Sequence, residues 1–384
     1  MQQVSIIGVG QTPVAEHWNQ TVQSLAAQAF SQATQAIAPD RVGALFVANA
    51  FGGALHLQSH IAPSIAATLG LSGIEAYTIE AGGASGGVAL RQAYLAIASG
   101  AYDCVAVIGA EKLTDVSDEQ LIAGMALTAD AEWEALHGIT LTSQWAMLMR
   151  RYMHEYGYTA ADFAPFPVNA HANGAANAHA LYRFPIKPEK VAGGAPVADP
   201  LGLLDCATMA DGAAVLILAN EGLARELPDQ SVRIAGSAVA TDTLALHHRT
   251  DPLTLMAVTS SSKKALQQAN ITQNDVNVLE LTDPHGIAAT LALESMGFAE
   301  RGTGIQLARE GAITPQGSVP LATGGGYKAR GDVGGASGVY QIVELVQQLR
   351  GEAGTAQVPQ ARIGLTQCLG GIGATAATHI LIAE

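Results

Sequence analysis

Short apolar runs alternate with helix-length segments along most of the chain. The strand-like runs are residues 4–9, 44–47, 76–79, 104–109, 232–239, 276–281, 363–367 and 378–382. The segments typical of helices are residues 22–37, 61–69, 84–99, 256–269, 286–296 and 335–349. Alternation of strand and helix predicts a layered α/β fold built on a mostly parallel sheet.

Two of the long helical segments begin with the same three residues. Ala84-Ser85-Gly86 opens one and Ala336-Ser337-Gly338 opens the other, and an apolar strand follows each helix. We interpret this echo as an internal duplication of an α/β half. The N-terminal half is then residues 1–111 and 212–230, and the C-terminal half is residues 231–384.

Residues 112–211 form a predicted inserted loop domain between the halves. The segment 145–156 is amphipathic and helical, whereas 171–188 is polar and rich in loop-forming residues. Long insertions of this kind are usually functional loops. We therefore expect the insertion to cover a binding site.

Composition and net charge limit the binding partners and the cellular location that we expect for this protein. Of 384 residues, 49% are hydrophobic and 14% are charged, which suffices for a large core. The net charge of −14 argues against a nucleic-acid or membrane surface. The three cysteines have no disulfide or metal spacing, and no long apolar run or signal peptide is evident, so we expect a cytoplasmic protein without a metal.

The turn at residues 80–87 reads E-A-G-G-A-S-G-G and lies between a strand-like run and a helix. It resembles the nucleophile turn of the thiolase superfamily, E-A-A-C-A-S-G-G, as found in sterol-carrier-protein-2-type and archaeal acetyl-CoA acetyltransferases. The resemblance extends along the chain, to R-R-Y-M-H-E-Y-G at 150–157, K-A-R-G at 328–331 and the final Gly370-Gly371 turn. The chain is thus similar to thiolases over nearly its whole length.

This resemblance implies a fold and a ligand. The fold would be thiolase-like, with two duplicated halves stacked as five αβαβα layers under the inserted loop domain. The ligand would be coenzyme A or an acyl-CoA, with no tightly bound cofactor. The family also implies a homodimer or higher homo-oligomer formed across the strand that precedes the nucleophile turn.

The resemblance also shows which catalytic groups are missing. The thiolate position is Gly83, which has no side chain and cannot form an acyl-enzyme. The H-D-C-F motif has become Thr282-Asp283-Pro284-His285, and G-H-P has become Gly331-Asp332-Val333. Only Cys368, in the C-terminal C-x-G-G turn, retains a thiol at a family site position.

Several side chains at these positions remain candidates for chemistry, each with a plainer alternative. His285 is a candidate acid or base, or a packed residue at a helix start. Asp332 has the wrong charge for an oxyanion site, but burial would let it act as a base. Tyr327 is a candidate proton donor or a wall residue, and Cys368 is a proton-shuttling thiol or an ordinary buried one.

Backbone and loop groups complete the predicted site. The backbone N–H groups of Gly83 and Gly370 are candidates for an oxyanion hole. His171, Arg183 and Lys187, in the polar loop region, are candidates for contacts with CoA.

Three functions remain open on this evidence. The first is a non-acylating, CoA-thioester-binding subunit that works with a synthase and a small OB-fold acyl-CoA-binding protein. The second is a carbon–carbon bond enzyme of aldolase or decarboxylase type, which needs an acid, a base and an oxyanion hole but no acyl-enzyme. The third is an acetyl-CoA C-acyltransferase, which requires a replacement nucleophile.

Overall fold

The computed structural model describes residues 2–227 and 231–384. The strands are β1 (Val4–Gln11), β2 (Ala44–Ala48), β3 (Glu75–Ile79), β4 (Cys104–Glu111), β5 (Pro196–Ala198), β6 (Leu201–Gly202), β7 (Gly212–Asn220), β8 (Val232–Thr241), β9 (Val278–Leu281), β10 (Ile363–Gly370) and β11 (Thr375–Ala383). The helices are α1 (Val22–Ala33), α2 (Gly52–His56), α3 (Ile61–Thr68), α4 (Ser85–Ala98), α5 (Asp118–Ala126), α6 (Leu141–Tyr156), α7 (Pro165–Gly174), α8 (Pro188–Ala192), α9 (Glu221–Ala224), α10 (Met256–Ala269), α11 (Gly286–Met296), α12 (Gly304–Arg309) and α13 (Ser337–Arg350).

The main sheet is mixed, so the prediction of a mostly parallel sheet is wrong. Its strand order is β3-β2-β4-β7-β1-β8-β11-β10-β9. Only the β2–β3, β2–β4 and β9–β10 pairs are parallel, and the other pairs in this sheet are antiparallel. Strand β7, which the apolar pattern did not predict, lies antiparallel between β4 and β1, and the β1–β8, β8–β11 and β10–β11 pairs are also antiparallel.

Helices α4 and α13 form a central layer between the two halves. Each contacts strands of the first half and strands of the second. Helices α1 and α3 pack on the outer side of the first half, and α10 packs on strands of the second. The resulting layers confirm the predicted α/β architecture of two related halves.

The two central helices approach each other through glycine. A Cβ atom added to Gly86 would lie 2.6 Å from the backbone nitrogen of Val339 and 3.0 Å from Cα of Gly338. A Cβ atom added to Gly338 would lie 3.0 Å from the backbone nitrogen of Gly87. The shared Ala-Ser-Gly openings therefore meet at a contact that admits no larger residue.

Most predicted elements outside the insertion agree with the structure to within a few residues. Within the insertion, the predicted polar loop at 171–188 is partly wrong, because α7 continues to Gly174. The proposed domain boundaries remain a prediction, and residues 228–230 at the end of the N-terminal half lie outside the described residues. Strand β3 is at an edge of the main sheet, where the predicted dimer contact would form.

The glycine contact generates a stability prediction. We expect Gly86→Ala to lower the free energy of unfolding by about 1–3 kcal/mol, because overpacking at a backbone contact forces the helices apart. The measurement is urea unfolding followed by circular dichroism. The matched control is Gly53→Ala in α2, where a new Cβ atom has 3.5 Å to its nearest neighbour. Equal stability of Gly86→Ala and wild type would contradict the proposed role of this contact.

Candidate active site

A small cavity opens where the turns before the two central helices meet. It measures about 90 Å³. Five of the residues singled out from the sequence line it: Gly83, Thr282, His285, Tyr327 and Asp332. Its remaining wall is largely apolar and includes Phe51, Met125, Leu141, Trp145, Met209 and Leu369. The cavity therefore combines a few polar groups with a surface that disfavours water.

Equivalent serines hold the two turns. The Ser85 hydroxyl accepts a hydrogen bond from the Ala81 N–H at 2.9 Å and donates to the Gly82 carbonyl at 2.6 Å. The Ser337 hydroxyl accepts from the Val333 N–H at 2.7 Å and donates to Oδ1 of Asp332 at 2.9 Å. Both serines are fully buried. Ser85 therefore stabilises its turn through both hydrogen bonds, and its hydroxyl is not free to attack a substrate.

The backbone leaves no room for a side chain at Gly83, the position that the sequence resemblance assigns to a nucleophile. A Cβ atom added to Gly83 would lie 2.6 Å from the carbonyl oxygen of Leu369. Real Cβ atoms essentially never come this close to a backbone oxygen. A side chain at position 83 would therefore require the Leu369 segment of β10 to move.

Thr282 and Tyr327 form a directed hydroxyl pair. The Thr282 hydroxyl accepts from the Leu369 N–H at 2.9 Å and donates to the phenol oxygen of Tyr327 at 3.2 Å. The phenol proton has no acceptor among the residues that the structure describes. Burial, followed by the nearby charge of Asp332, raises the pKa of Tyr327. Tyr327 is therefore a protonated phenol with a donor available to the cavity.

Asp332 uses only one of its carboxyl oxygens within the protein. Oδ1 accepts from the Gly334 N–H at 2.9 Å and from Ser337, whereas Oδ2 has no partner in the described part of the chain. Burial raises the pKa of the carboxyl above its usual value. Asp332 thus presents a carboxyl oxygen whose ionisation is disfavoured.

His285 lies immediately before α11, and of its two ring nitrogens only Nδ1 has a hydrogen-bond partner in the described part of the chain. Nδ1 is 3.3 Å from the backbone carbonyl oxygen of Asp205, while Nε2 has no hydrogen-bond partner within residues 2–227 and 231–384. Burial lowers the pKa of His285 to about 4, and the nearby Lys328 ammonium adds to the effect. The imidazole is therefore neutral at pH 7.

The end of the inserted domain ties the two turns together, which the sequence patterns did not reveal. The Ala207 N–H donates to the Pro284 carbonyl at 2.9 Å, and the Asp332 N–H donates to the Thr208 carbonyl at 2.9 Å. Lys328 Nζ donates to the Cys206 carbonyl at 2.6 Å. This short segment thus spans from the His285 turn to the Asp332 turn and forms one wall of the cavity.

Glu111, at the end of β4, is a second positioning residue that sequence reasoning missed. Its carboxyl group accepts from the backbone N–H groups of Ala50, Phe51 and Gly335 at 2.8, 3.1 and 3.2 Å. Burial raises the pKa of Glu111 to about 8. The carboxyl group holds Phe51 and the turn before α13 at the edge of the cavity.

Two of the predicted groups lie behind the cavity. The Cys368 thiol is fully buried between α4 and α13 and donates to Oε1 of Gln341 at 3.0 Å. Burial raises the pKa of Cys368 to about 12, so its geometry does not favour a chemical role. Gly370 pairs with Thr375 at the end of β10, and it is the next residue, Gly371, that lines the cavity.

The predicted CoA contacts also lie away from the cavity lining. Contrary to the loop prediction, His171 is on α7 and is buried, with Nδ1 at 3.0 Å from the Phe184 carbonyl and its ring near Tyr182. It supports the following loop from within, which disfavours direct contact with a ligand. Arg183 and Lys187 are exposed on that loop, and their contact with CoA stays a prediction.

The described residues contain no cluster of three or more histidine, cysteine or acidic side chains suited to hold a metal ion. Within the same ranges, no helix is both long and apolar enough to span a membrane.

Family comparisons agree with this architecture. The thiolase N-terminal domain matches residues 4–222, and the thiolase C-terminal domain-like family matches residues 238–383. The chain belongs to the thiolase family. It is 40% identical to the acetyl-CoA acetyltransferase of Methanothermobacter thermautotrophicus, over 99% of both proteins.

Two further comparisons name a thiolase subunit and an aldolase. The chain is 30% identical to the benzoylsuccinyl-CoA thiolase subunit BbsB of Thauera aromatica, covering 96% of this chain and 95% of that one. Among solved structures, the Ltp2-ChsH2(DUF35) aldolase aligns with a TM-score of 0.85 and 24% identity, over 99% of this chain and 98% of the other. The second likeness supports the fold alone.

Gly83→Cys tests whether the nucleophile position is closed. We expect the variant to gain an alkylatable thiol but to lose about 1–3 kcal/mol of stability, because Cβ must displace the Leu369 carbonyl. We expect no thiolysis of acetoacetyl-CoA, because the sequence resemblance assigns Thr282 and Asp332 to the positions of the family histidines. Iodoacetamide labelling, urea unfolding and a thiolysis assay measure the three effects.

The control for this variant is Gly53→Cys, whose new side chain meets no close backbone atom. It should react with iodoacetamide without loss of stability. Full thiolase turnover by Gly83→Cys would show that the replaced histidine positions are unimportant.

Proposed function

We propose that this protein binds an acyl-CoA thioester in the cavity but does not form an acyl-enzyme, and that it acts as a non-acylating subunit of a multi-protein acyl-CoA complex. The observation that carries the proposal is the closure of the Leu369 carbonyl over Gly83. A simple loss of one side chain would leave space for it. Here the backbone occupies that space while the rest of the cavity remains open.

The other thiols do not offer an activated nucleophile. Cys206 lines the cavity, but burial and the neighbouring Asp205 raise its pKa to about 11. Because the thiolate is the attacking form, a raised pKa disfavours nucleophilic catalysis at pH 7. This argues against ordinary acyl transfer, even though a relative with 40% identity is named an acetyl-CoA acetyltransferase.

The names of two proteins that are similar to this chain support a role in a complex. The relative BbsB is named as a subunit of a thiolase, and the aldolase neighbour contains a DUF35 partner. A partner that delivers or receives the acyl thioester would explain why a cavity persists without its nucleophile. A small OB-fold acyl-CoA-binding protein and a synthase are the partner classes that we propose.

A second candidate function is supported by three groups with unused hydrogen-bonding capacity at the cavity: Nε2 of His285, the phenol proton of Tyr327 and Oδ2 of Asp332. An acid, a base and a polarising donor suffice to make or break a bond next to a thioester carbonyl without acylation. This arrangement favours carbon–carbon bond chemistry of the aldolase or decarboxylase type as the alternative.

The test combines calorimetry with intact-protein mass spectrometry. We expect acetyl-CoA to bind to the purified protein, with no added mass of one acetyl group after acid quenching and no thiolysis of acetoacetyl-CoA. We expect Ala207→Leu, which enlarges a residue of the cavity wall, to weaken binding at least tenfold. Ala178→Leu, at an exposed position outside the wall, is the matched control and should bind normally.

Two results would contradict the proposal. An acetyl adduct on the wild-type protein would show that acylation occurs at another nucleophile. Absence of acetyl-CoA binding, or binding that Ala207→Leu leaves unchanged, would show that this cavity is not the thioester site.

A further inference from the structure

We propose that the cavity catalyses proton transfer at the α-carbon of a bound 3-oxoacyl thioester, with His285 Nε2 as the base and the Tyr327 hydroxyl as the donor to the enolate oxygen. The inference rests on the proposed binding of a thioester in this cavity. It assigns a catalytic role to a histidine that stands where the family motif has phenylalanine.

The tautomer of His285 follows from its one hydrogen bond. A backbone carbonyl can only accept, so the contact between Nδ1 and the Asp205 oxygen requires the proton to be on Nδ1. Nε2 of a neutral imidazole then carries a free lone pair. Because His285 is more than nine-tenths buried and Nε2 has no partner in the described chain, this lone pair is available only to an occupant of the cavity.

The segment bearing the Asp205 carbonyl is itself held in place. Oδ2 of Asp205 accepts from the Gly202 N–H at 2.9 Å, and the Ala207 N–H bonds the Pro284 carbonyl next to His285. The carbonyl group that orients the ring is thereby held in place relative to the His285 turn. A base positioned in this way loses little freedom when a substrate binds.

The orientation of the donor, the Tyr327 hydroxyl, is also set by a hydrogen bond. Because the Thr282 hydroxyl donates to the phenol oxygen of Tyr327, the phenol proton is left for an acceptor that enters the cavity. Burial, followed by the effect of Asp332, raises the pKa of Tyr327 and so favours the protonated phenol, which is the form that donates. In a largely apolar cavity, a fixed O–H donor stabilises a developing enolate more than it would in water.

The chemical step balances without a cofactor. His285 Nε2 takes the α-proton, the C–H electron pair forms the C=C bond of the enolate, and the carbonyl π electrons move to the oxygen that Tyr327 contacts. The imidazolium then exchanges this proton for one from solvent, and the reverse reaction transfers the solvent-derived proton to the α-carbon. No acyl-enzyme, oxidant or metal is needed.

The strength of the base indicates the substrate class. A pKa of about 4 makes His285 a weak base, so the C–H bond must be acidified by a second carbonyl group. The cavity of about 90 Å³ is small for a ligand site, which favours a short acyl group. A short 3-oxoacyl thioester meets both conditions.

Deuterium exchange tests the inference with acetoacetyl-CoA as the probe. In D2O, we expect wild-type protein to speed the loss of C2 protons at least tenfold over the uncatalysed rate, measured by mass spectrometry after acid quenching. His285→Phe should fall to the uncatalysed rate, and Tyr327→Phe should lose at least tenfold. His179→Gln, at a half-buried histidine outside this cavity, is the matched control and should exchange like wild type.

Calorimetry on the same variants separates this inference from the proposed function. Normal binding of acetoacetyl-CoA by wild type without exchange overturns the proton-transfer role alone, as does full exchange by His285→Phe. Failure of wild type to bind the thioester overturns the proposed function and this inference together.

The pH profile gives a second readout. Other charged or titratable groups lie in, face or adjoin the His285 turn: Asp205, Cys206, Asp283, Tyr327, Lys328 and Asp332. Because Nε2 must be unprotonated, we expect enzyme-dependent exchange to stay constant between pH 8 and 5 and to fall towards pH 4, following the pKa of about 4. A fall centred between pH 6 and 8 would assign the base to another group.

Discussion

The close contact between α4 and α13 determines where the site can form. Because Gly86 and Gly338 leave no room for side chains, the starts of both helices lie together at the centre of the molecule. Each helix is preceded by a turn held by its own serine, Ser85 or Ser337. The turn containing Gly83 therefore faces the turn containing Asp332, and the cavity between them is a consequence of how the duplicated halves pack.

The inserted domain completes the cavity that the halves begin. Its final segment, 205–210, bonds the turn before α11 and the turn before α13 through backbone groups. Backbone hydrogen bonds do not depend on side-chain identity, so these links can survive changes in the catalytic residues. The same segment supplies the Asp205 carbonyl that orients His285. The base that we propose, His285, is thus positioned by a backbone group of this segment.

Sequence reasoning predicted the fold and singled out five of the residues that line the cavity, but it missed the strand direction and the supporting groups. Local apolar periodicity identifies a strand such as β9, yet it does not report the partner with which that strand pairs, and β7 was missed entirely. Motif spacing singled out Thr282, Tyr327 and Asp332, and all three line the cavity because each follows or precedes a regular element. It could not distinguish Cys368 from Leu369, since adjacent residues of β10 point to opposite faces and only the tertiary packing shows which face meets the cavity.

The differences that the sequence resemblance implies at Gly83, Thr282 and Asp332 depend on one another physically. With a nucleophilic thiol absent at Gly83, histidines that activate it would have no partner, and two buried imidazoles without hydrogen bonds would cost free energy. Thr282 and Asp332 instead satisfy backbone and hydroxyl groups of the turns they occupy. The hydrogen bond from Thr282 also directs the Tyr327 proton into the cavity. The proposed lack of acylation and the remaining set of proton donors and acceptors are therefore compatible within one scaffold, because different groups of the same turns carry them.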